Sequence, residues 1–287
     1  MTIRRILFPV DFSERSRAIA PFVLSMAQRY KASVVLMNII QPAPPMYGGM
    51  DTVYPDTFDY TESREVVLRN LEQFGAAEFP KIEVSCIVDM GDPASLITDY
   101  ANLNGVGLIT LPTHGYGAFR RALLGSVTAK VLHDAKVPVW TSAHAPEASH
   151  RAHPQPRHIL VAIDPDKDAR PTLDAALGIA KDAGATLEIV TAVAEGVIAP
   201  GMADADLEDL LIKGTQEELA KLKSEAGTDA GTIVEIGGPA NVVRAAVLSK
   251  RADLVVVGRG STHGILERLR ANTYAIIREA PCPVLSV

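Results

Sequence analysis

The segment "PTHGYGAFRRALLGSVT" at 112–128 contains the residues whose types and spacing best suit chemistry. Gly125, Ser126 and Thr128 open a stretch with a helical pattern, and a helix N-terminus offers unpaired backbone N–H groups and the positive end of the helix dipole. Gly125 would let phosphate oxygens approach the backbone, and the two hydroxyl groups could add donors. The segment therefore predicts a phosphate-binding loop; the alternative is that Gly125 and Ser126 only cap the helix.

The charged residues of the same segment limit the reactions that the loop could support. Arg120 and Arg121 would supply positive charge near a phosphate, and His114 is the candidate general base. The loop offers no acidic pair to hold a metal ion, so we expect no catalytic residues and, at most, slow hydrolysis of a bound nucleotide. The chain also lacks a Walker Gly-Lys-Ser/Thr and a G-x-G-x-x-G turn after its first strand, which disfavours a P-loop or a dinucleotide site.

Asp11 closes the first apolar run of the chain, in "ILFPVDFSE". A carboxylate after one strand and a glycine loop after another meet at the same edge of an open α/β sheet, where such sheets bind ligands. We therefore expect Asp11 to lie beside the 112–126 loop. The alternative is that Asp11 or Ser13 caps the following helix.

The elements that would position these residues occur twice, because the chain is a tandem duplication. "RRILFPVDFSERSRAIAPF" aligns with "RHILVAIDPDKDARPTLDA", so that Asp11 matches Asp164. We predict one domain at 1–143 and a second at 157–287, with a linker at 144–156. The matched segments are 4–40 with 157–193, 91–112 with 237–258, and 130–140 with 275–285.

Each repeat alternates short Val/Ile/Leu-rich runs with helical patterns, which predicts an α/β fold. Continuous apolar runs are typical of parallel strands that are covered on both faces. We therefore predict two tandem, open, mainly parallel five-stranded sheets with helices on both faces. The runs are 6–10, 34–40, 82–88, 107–111 and 137–141 in the first repeat, and 158–163, 186–193, 232–236, 253–257 and 283–287 in the second.

Two segments between the repeated elements are not expected to form core. The linker is rich in Ala, Pro, Ser and His, and a flexible segment fixes no ligand geometry, so we expect no metal site there despite its three histidines. The loop at 41–61 is polar and interrupted by Pro and Gly; a lid and a disordered segment both stay open. The histidines are His144, His150 and His153.

The composition of the 287 residues excludes several classes of protein. With 34 acidic and 28 basic residues the net charge is −6, which disfavours a nucleic-acid binder because such proteins need a basic surface. No apolar run reaches the ~18 residues of a membrane span. Cys86 and Cys282 are too few for a disulfide framework. We therefore expect a cytoplasmic protein without nucleic-acid or membrane partners.

Three motifs in this order, "ILFPVDFSE", "VVLMNII" and "HGYGAFRRALLGSVTAKVL", resemble the universal stress protein family over essentially the whole chain, as two tandem domains. The resemblance implies an adenine nucleotide alpha hydrolase-like, or Rossmann-like, fold. In the nucleotide-binding branch, marked by G-x2-G-x9-G-S/T, it implies ATP as the cofactor, with or without Mg2+. This chain has Pro112-x2-Gly115-x9-Gly125-Ser126. Proline lacks an N–H, so a donor contact at 112 would be lost and a carbonyl contact would survive.

The resemblance also implies which residues contact the nucleotide. Asp11 would contact the adenosine part, and the Ile39 backbone would meet the adenine edge. Pro112 and Gly115 would flank the ribose and phosphates, and the residues from Gly125 onward would hold the phosphate chain. The full expected set is Pro9, Val10, Asp11, Ile39, Leu111, Pro112, Gly115, Gly125, Ser126, Val127 and Thr128.

The second repeat departs further from the motif. Gly258 takes the first motif position, but Arg270 and Ala271 replace the final Gly-Ser. A large side chain there would obstruct the close approach of a phosphate to the backbone, although an arginine can also pair with phosphate. We therefore expect one nucleotide site per chain, in the first domain.

Together these features predict a stress-response protein that binds ATP, or a related adenine nucleotide, and acts as a nucleotide-dependent regulatory or interaction module. The alternatives are a nucleotide-independent assembly module, with the site closed by Pro112, and a slow ATPase. The resemblance further implies that the two domains pair through the strands at 138–142 and 283–287. It leaves open a homodimer of two chains.

Overall fold

The computed structural model describes residues 3–41, 60–113, 124–142, 154–165, 169–193, 204–259 and 266–287. These residues group into two units: one comprises the described residues up to Thr113 together with 125–137, and the other comprises the described residues from 138 onward. In each unit parallel strands pack against helices, which confirms the predicted α/β fold. The described residues contain no helix that is both long and apolar enough to cross a membrane.

The first unit contains four strands and four helices within the described residues. They are β1 (Arg5–Pro9), α1 (Glu14–Tyr30), β2 (Ser33–Ile40), α2 (Tyr60–Glu78), β3 (Val84–Met90), α3 (Pro93–Leu103), β4 (Leu108–Leu111) and α4 (Ser126–Asp134). The strands lie in the order β3-β2-β1-β4, and all are parallel. The chain runs from β1 outward to β3 and then returns to β4 on the other side of β1. The carboxyl ends of β1 and β4 are therefore the switch point at which open α/β sheets bind ligands.

The second unit repeats this order and adds one strand. Its described elements are β5 (Val139–Thr141), β6 (His158–Ala162), α5 (Ala169–Ala183), β7 (Thr186–Val193), α6 (Asp204–Ala226), β8 (Gly231–Ile236), α7 (Pro239–Lys250), β9 (Leu254–Val257), α8 (Leu266–Glu279) and β10 (Val284–Ser286). The strand order is β5-β10-β9-β6-β7-β8. The switch point of this unit lies between β6 and β9.

The added strand β5 pairs antiparallel with β10, as expected for the segments at 138–142 and 283–287. Trp140 lies opposite Leu285, and Thr141 Oγ1 donates to the Val284 carbonyl at 3.2 Å. The remaining strand pairs of this unit, including that of β10 with β9, are parallel. Each repeat thus contributes five strands, but β5 of the first repeat is part of the second unit.

Helix ends follow the local sequence. Ser13 is the N-cap of α1, and its hydroxyl accepts a bond from Ser16 N at 3.2 Å. Asp92 is the N-cap of α3, and Pro93 is its first residue. Proline suits this position because it has no N–H that would be left unpaired at a helix start. In the core of the first unit, Phe8 packs against Phe74 and Phe79, with ring centroids 6.1 and 6.2 Å away. The strands therefore present their carboxyl ends on a rigid frame.

Candidate functional site

The candidate site of the first unit lies at its switch point. There, hydrogen bonds with β2 hold the backbone of Val10, the residue before Asp11. The N–H of buried Val10 donates to the Met37 carbonyl at 2.8 Å. The Val10 carbonyl in turn accepts a bond from Asn38 Nδ2 at 2.7 Å. Both bonds join Val10 to the neighbouring strand, so β2 sets the position at which Asp11 leaves the sheet.

The Asp11 carboxylate is oriented by residues that follow it in the chain. Its Oδ1 accepts bonds from Ser13 N at 3.0 Å, from Ser13 Oγ at 2.6 Å and from Ser16 Oγ at 2.6 Å. Phe12 adopts φ of 59°, a left-handed conformation that few non-glycine residues adopt. A carboxylate has about four lone-pair sites. The three bonds therefore orient Asp11 without using its whole acceptor capacity, and the helix cap is Ser13 rather than Asp11.

The N-terminus of α4 opens onto the same edge of the sheet. Gly125 is its N-cap and has no side chain to cap the helix, and its own N–H donates to the Thr113 carbonyl at 2.9 Å. The next N–H groups, those of Ser126, Val127 and Thr128, belong to the first turn and have no carbonyl one turn earlier to accept from them. The Ser126 side chain is exposed beside them. This arrangement can accept an anion.

Thr128 fastens α4 to the end of β4. Its buried Oγ1 donates to the Pro112 carbonyl at 3.0 Å, which uses the only hydrogen of the hydroxyl and leaves the Thr128 N–H as the group for a ligand. The second unit has the same bond, from Thr273 Oγ1 to the Gly258 carbonyl at 3.0 Å. The first motif position therefore presents a carbonyl in both repeats, and proline supplies a carbonyl as well as glycine does.

Other predicted site residues lie at the same edge or outside the described residues. Pro9 and Leu111 are the buried last residues of β1 and β4, and Ile39 is a half-buried residue near the end of β2. Gly115 lies outside the described residues. So do His114, Arg120, Arg121, residues 42–59 of the predicted loop, and residues 143–153 with the three histidines.

Asp92 and Lys130 form a tie between α3 and α4 that the sequence did not suggest. Lys130 Nζ donates to Asp92 Oδ2 at 2.8 Å and to Ser95 Oγ at 3.1 Å, while Ser95 N and Oγ also donate to Asp92. The Lys130 ammonium and the Ser95 donors hold the pKa of the Asp92 carboxyl well below its usual value, and the carboxylate raises the pKa of Lys130. The signal available in sequence was "GDPAS", an Asp-Pro helix start.

In the second unit the helix that corresponds to α4 begins earlier. Helix α8 starts at Leu266, so Arg270 and Ala271, the counterparts of Gly125 and Ser126, lie inside it. Backbone N–H groups beyond the first turn of a helix bond to carbonyls of the preceding turn. The N–H groups at these positions are therefore not available as a first-turn anion site.

The second unit has a cavity of about 120 Å³, open to solvent, at the carboxyl ends of β6, β7 and β9. Asp164, Thr172, Asn272 and Thr273 are polar residues in its wall, and the other described wall residues are apolar or glycine. The cavity has no signal in the sequence, because its wall residues come from six separate elements and the segments between them. The apolar and glycine positions are Ala162, Ile163, Ala169, Val190, Ala192, Pro239, Val243, Val257, Gly258 and Ile276.

Comparisons with known proteins agree with this architecture. The family model described as the universal stress protein family matches residues 2–142 and 156–287. Universal stress protein A homolog 2 of Coxiella burnetii is 26% identical over 134 residues, which are 45% of this chain and 91% of that protein. A Staphylococcus epidermidis protein named for the same family is 31% identical over 140 residues, 46% of this chain and 83% of its own.

Among solved structures, a universal stress protein from Archaeoglobus fulgidus covers 98% of this chain and 95% of its own, with a TM-score of 0.66 and 24% identity. At that identity the likeness establishes the fold. Because the family model matches both repeats over most of their length, the chain belongs to the universal stress protein family.

Proposed function

We propose that the first unit binds an adenine nucleotide, ATP or a relative of it, and that its occupancy regulates the contacts of this stress protein with other molecules. One observation carries the proposal. The first turn of α4, whose N–H groups point out of the helix, follows the end of β4, and the oriented carboxylate of Asp11 follows the end of the neighbouring strand β1. N–H donors that can bind an anion and a carboxylate that can accept hydrogen bonds, at one sheet edge, suit a particular kind of ligand. Such a ligand has a phosphate at one end and hydroxyl or amino groups at the other.

The contacts of the first unit assign parts of the ligand to parts of the site. The phosphate chain would accept bonds from the N–H groups of 126–128, which Gly125 leaves open because it has no side chain. The adenosine would lie along the ends of β1 and β2, with its donors toward Asp11. Pro112 is compatible with this placement, because its carbonyl is already bonded to Thr128 and no N–H is needed there.

Regulation would act through α4. The helix is fastened to β4 by Thr128 and to α3 by Lys130, so a ligand bound at its N-terminus stabilises one position of a helix that contacts two other elements. A ligand can shift the protein between states only as far as it binds them with different affinity. Occupancy would therefore be expressed as a change in the stability of the α3–α4 packing.

The test is to purify the protein without added nucleotide, denature it, identify the adenine species released and count them per chain. We expect about one nucleotide per chain. The variant Gly125→Arg copies Arg270 and should weaken binding by about a hundredfold or more, since it blocks at least two charge-assisted bonds of roughly 1.5–3 kcal/mol each. The control is Gly214→Arg, at a helical glycine with open space around it.

The outcomes separate the candidate functions. A protein that carries no nucleotide and does not bind magnesium-ATP on titration would contradict the proposal and leave a nucleotide-independent assembly module. Phosphate release that is present in the unaltered chain and lost in Gly125→Arg, but not in Gly214→Arg, would add slow hydrolysis to binding.

A further inference from the structure

A basic surface lies at the edge of the first unit where its strands begin, opposite the edge that carries the candidate nucleotide site. The Ser33 N–H donates there to the Arg4 carbonyl at 3.1 Å, and the Val34 N–H donates to the Glu83 carbonyl at 2.9 Å. Neighbouring strands lie about 4.8 Å apart, so the residues that precede β1, β2 and β3 share one small surface. We call it the basic edge; its members are Arg4, Arg5, Arg29, Lys31, Lys81 and Lys136.

The ends of α3 and α4 bring Lys136 to the basic edge. Arg5 Nη1 donates to the Asn104 carbonyl at 2.6 Å, just after the end of α3. The Lys136 N–H donates to Asn102 Oδ1 at 3.3 Å. Both bonds involve the same short segment of chain, so Lys136 lies near the start of β1.

Acidic residues at this edge are fewer than basic ones. Arg4, Lys31 and Lys81 are exposed, and no described residue forms an ion pair with any of them. The edge therefore carries an excess of positive charge in a chain whose net charge is −6. The acidic residues are Glu78, Glu83 and Asp134.

Two lysines of the basic edge have backbone conformations that favour glycine. Lys31, the C-cap of α1, has φ of 52°, and Lys81 has φ of 67°. The corresponding residues of the second unit are Gly184, with φ of 64°, and Gly227, with φ of 65°. A left-handed conformation strains a lysine because its Cβ crowds the backbone. The first unit thus has lysine at two positions where glycine would be the more stable choice.

The helix dipole does not explain these lysines. A cation in the last turn of a helix gains the same interaction without strain, and α1 already has Arg29 there. Helix α2 ends at Glu78, so Lys81 lies beyond its last turn, where the effect of the dipole falls off. The strained positions instead place two ammonium groups at the amino ends of neighbouring strands.

The corresponding edge of the second unit has mixed charge. Lys250 and Arg251 add positive charge there, but Lys250 Nζ is paired with Glu188 Oε1 at 2.8 Å. The fold therefore does not require the excess of positive charge in the first unit. The counterparts of the six basic residues, in the same order, are Arg157, His158, Asp182, Gly184, Gly227 and Pro281.

The chemistry of the basic edge suits a short acidic segment of a protein. Lysine ammonium groups are point charges on flexible stems and can each follow a separate carboxylate. A nucleic acid or an anionic membrane would extend past so small a surface onto a negatively charged protein, which repels a large polyanion. Helix C-termini also present carbonyl groups, so the backbone here lacks the N–H donors that bind phosphate at a helix N-terminus.

We propose that the basic edge of the first unit binds an acidic segment of a partner protein, with Lys31 and Lys81 as its principal contacts. The surface lies at the opposite edge of the sheet from the proposed nucleotide site, and the proposal does not depend on nucleotide binding.

The test titrates the full chain into a fluorescein-labelled peptide of about eight glutamates and follows the fluorescence anisotropy. Binding should weaken by about fivefold or more between roughly 50 and 200 mM sodium chloride, because salt screens exposed charges. The double variant Lys31→Gly with Lys81→Gly should weaken binding by about fivefold or more, because two exposed ion pairs are lost. Its thermal unfolding midpoint should stay the same or rise, since glycine relieves the strain. Equal affinity of the double variant and the unaltered chain would overturn the proposal.

A charge-matched variant separates the basic edge from the net charge of the chain. Adding Gly184→Lys and Gly227→Lys to the double variant restores the net charge but places both lysines in the second unit, where an added Cβ meets open space. Peptide binding should remain weak, with circular dichroism showing that the variant is folded. Recovery of binding would mean that net charge alone attracts the peptide and would overturn the proposal.

Two further probes identify the class of partner. A single-stranded thymidine oligonucleotide of the same charge, and vesicles that contain phosphatidylserine, should each bind more weakly than the peptide at equal salt. Tighter binding of either probe, lost in the double variant, would overturn the assignment of an acidic protein. Gly125→Arg should leave peptide binding unchanged, which separates this surface from the proposed nucleotide site.

Discussion

The two repeats fasten the ends of their first strands in the same place with different chemical groups. In the first unit the Asn38 amide donates to the Val10 carbonyl at 2.7 Å, and in the second the Thr191 hydroxyl donates to the Ile163 carbonyl at 2.8 Å. The bond from a helix threonine to the carbonyl after the β4 or β9 strand is kept unchanged. The backbone of this edge thus needs a donor at each point but not a particular residue.

The side chains around that backbone differ far more. The first unit ties α3 to α4 through Asp92 and Lys130, whereas the corresponding residues of the second unit are Gly238 and Ala275. Side chains at the strand ends also differ in size: Met37 of β2 corresponds to Val190 of β7, and Leu111 of β4 to Val257 of β9. Duplication therefore gave two copies of one scaffold whose contacts must persist, while the side chains at each edge were able to change independently.

The largest effect should come from a substitution at the first motif position, where the first unit has Pro112 and the second has Gly258. A Cβ at Gly258 would lie 2.6 Å from Thr172 Oγ1, so Gly258→Ala should lower the free energy of unfolding of the second unit by about 1–3 kcal/mol. The measurement is urea denaturation followed by the fluorescence of Trp140, the single tryptophan, which is buried in β5 of that unit.

The double variant Thr172→Ala with Gly258→Ala checks the cause of that loss. Removing the hydroxyl clears the space, so the two changes together should cost less than their sum. Gly214→Ala is the matched control and should not destabilise the protein, because a Cβ added at Gly214 would meet open space beside its own helix. Additive losses in the double variant would contradict the steric explanation.

A smaller effect should follow from breaking the contact that both units share. Thr128→Val and Thr273→Val keep the side-chain shape but leave the Pro112 or Gly258 carbonyl without its donor. Each should cost about 1 kcal/mol or somewhat more. Pro112 is buried and Gly258 only half-buried, so the first variant should lose more stability, as measured by urea denaturation with circular dichroism. Equal stability of Thr128→Val and the unaltered protein would contradict this ranking.

The smallest effect should come from removing the tie between α3 and α4. The pKa of Asp92 is lowered, so its contribution to stability is present above about pH 4 and is lost as the pH falls through the lowered value. The pKa of Lys130 is raised, so its contribution is present below about pH 10 and is lost as the pH rises through the raised value.

Lys130→Met should therefore lower the thermal unfolding midpoint slightly at pH 7, and the difference from the unaltered protein should shrink toward pH 2. NMR titration should show the pKa of Asp92 return toward its usual value in this variant. The matched control is Lys136→Met, which changes an exposed lysine just after the end of α4. It should leave the titration of Asp92 unchanged. A pKa of Asp92 that is the same in Lys130→Met would show that Ser95 alone lowers it.

Local features of the fold were predictable from sequence, because each depends on neighbouring residues. The strands β4 and β9, "LITL" and "LVVV", fall within the predicted runs at 107–111 and 253–257, since continuous apolar runs suit strands that are covered on both faces. Ser13 was one of two expected caps for α1 and is the one observed.

The start of α8 and the cavity were harder to predict, for different reasons. The alignment pairs Arg270 with Gly125 but does not show that the helix extends back to Leu266, an extension that strong helix formers such as Leu, Glu and Arg favour. Ala162 and Val190 read as ordinary core residues. Only the register of β6 with β7 and β9, which sets Ala162 opposite Val190 and Val257, gathers these small residues around one space.

The pairing of β5 with β10 has a consequence for how the protein is made. Val139 and Ser286 are partners in this ladder, so β5 leaves the ribosome long before the strand that it pairs with. At about 5–20 residues per second the wait is roughly seven to thirty seconds. During that interval the nascent chain carries a short apolar strand with an unpaired edge, the kind of surface on which chaperones act and from which misassembly between chains begins.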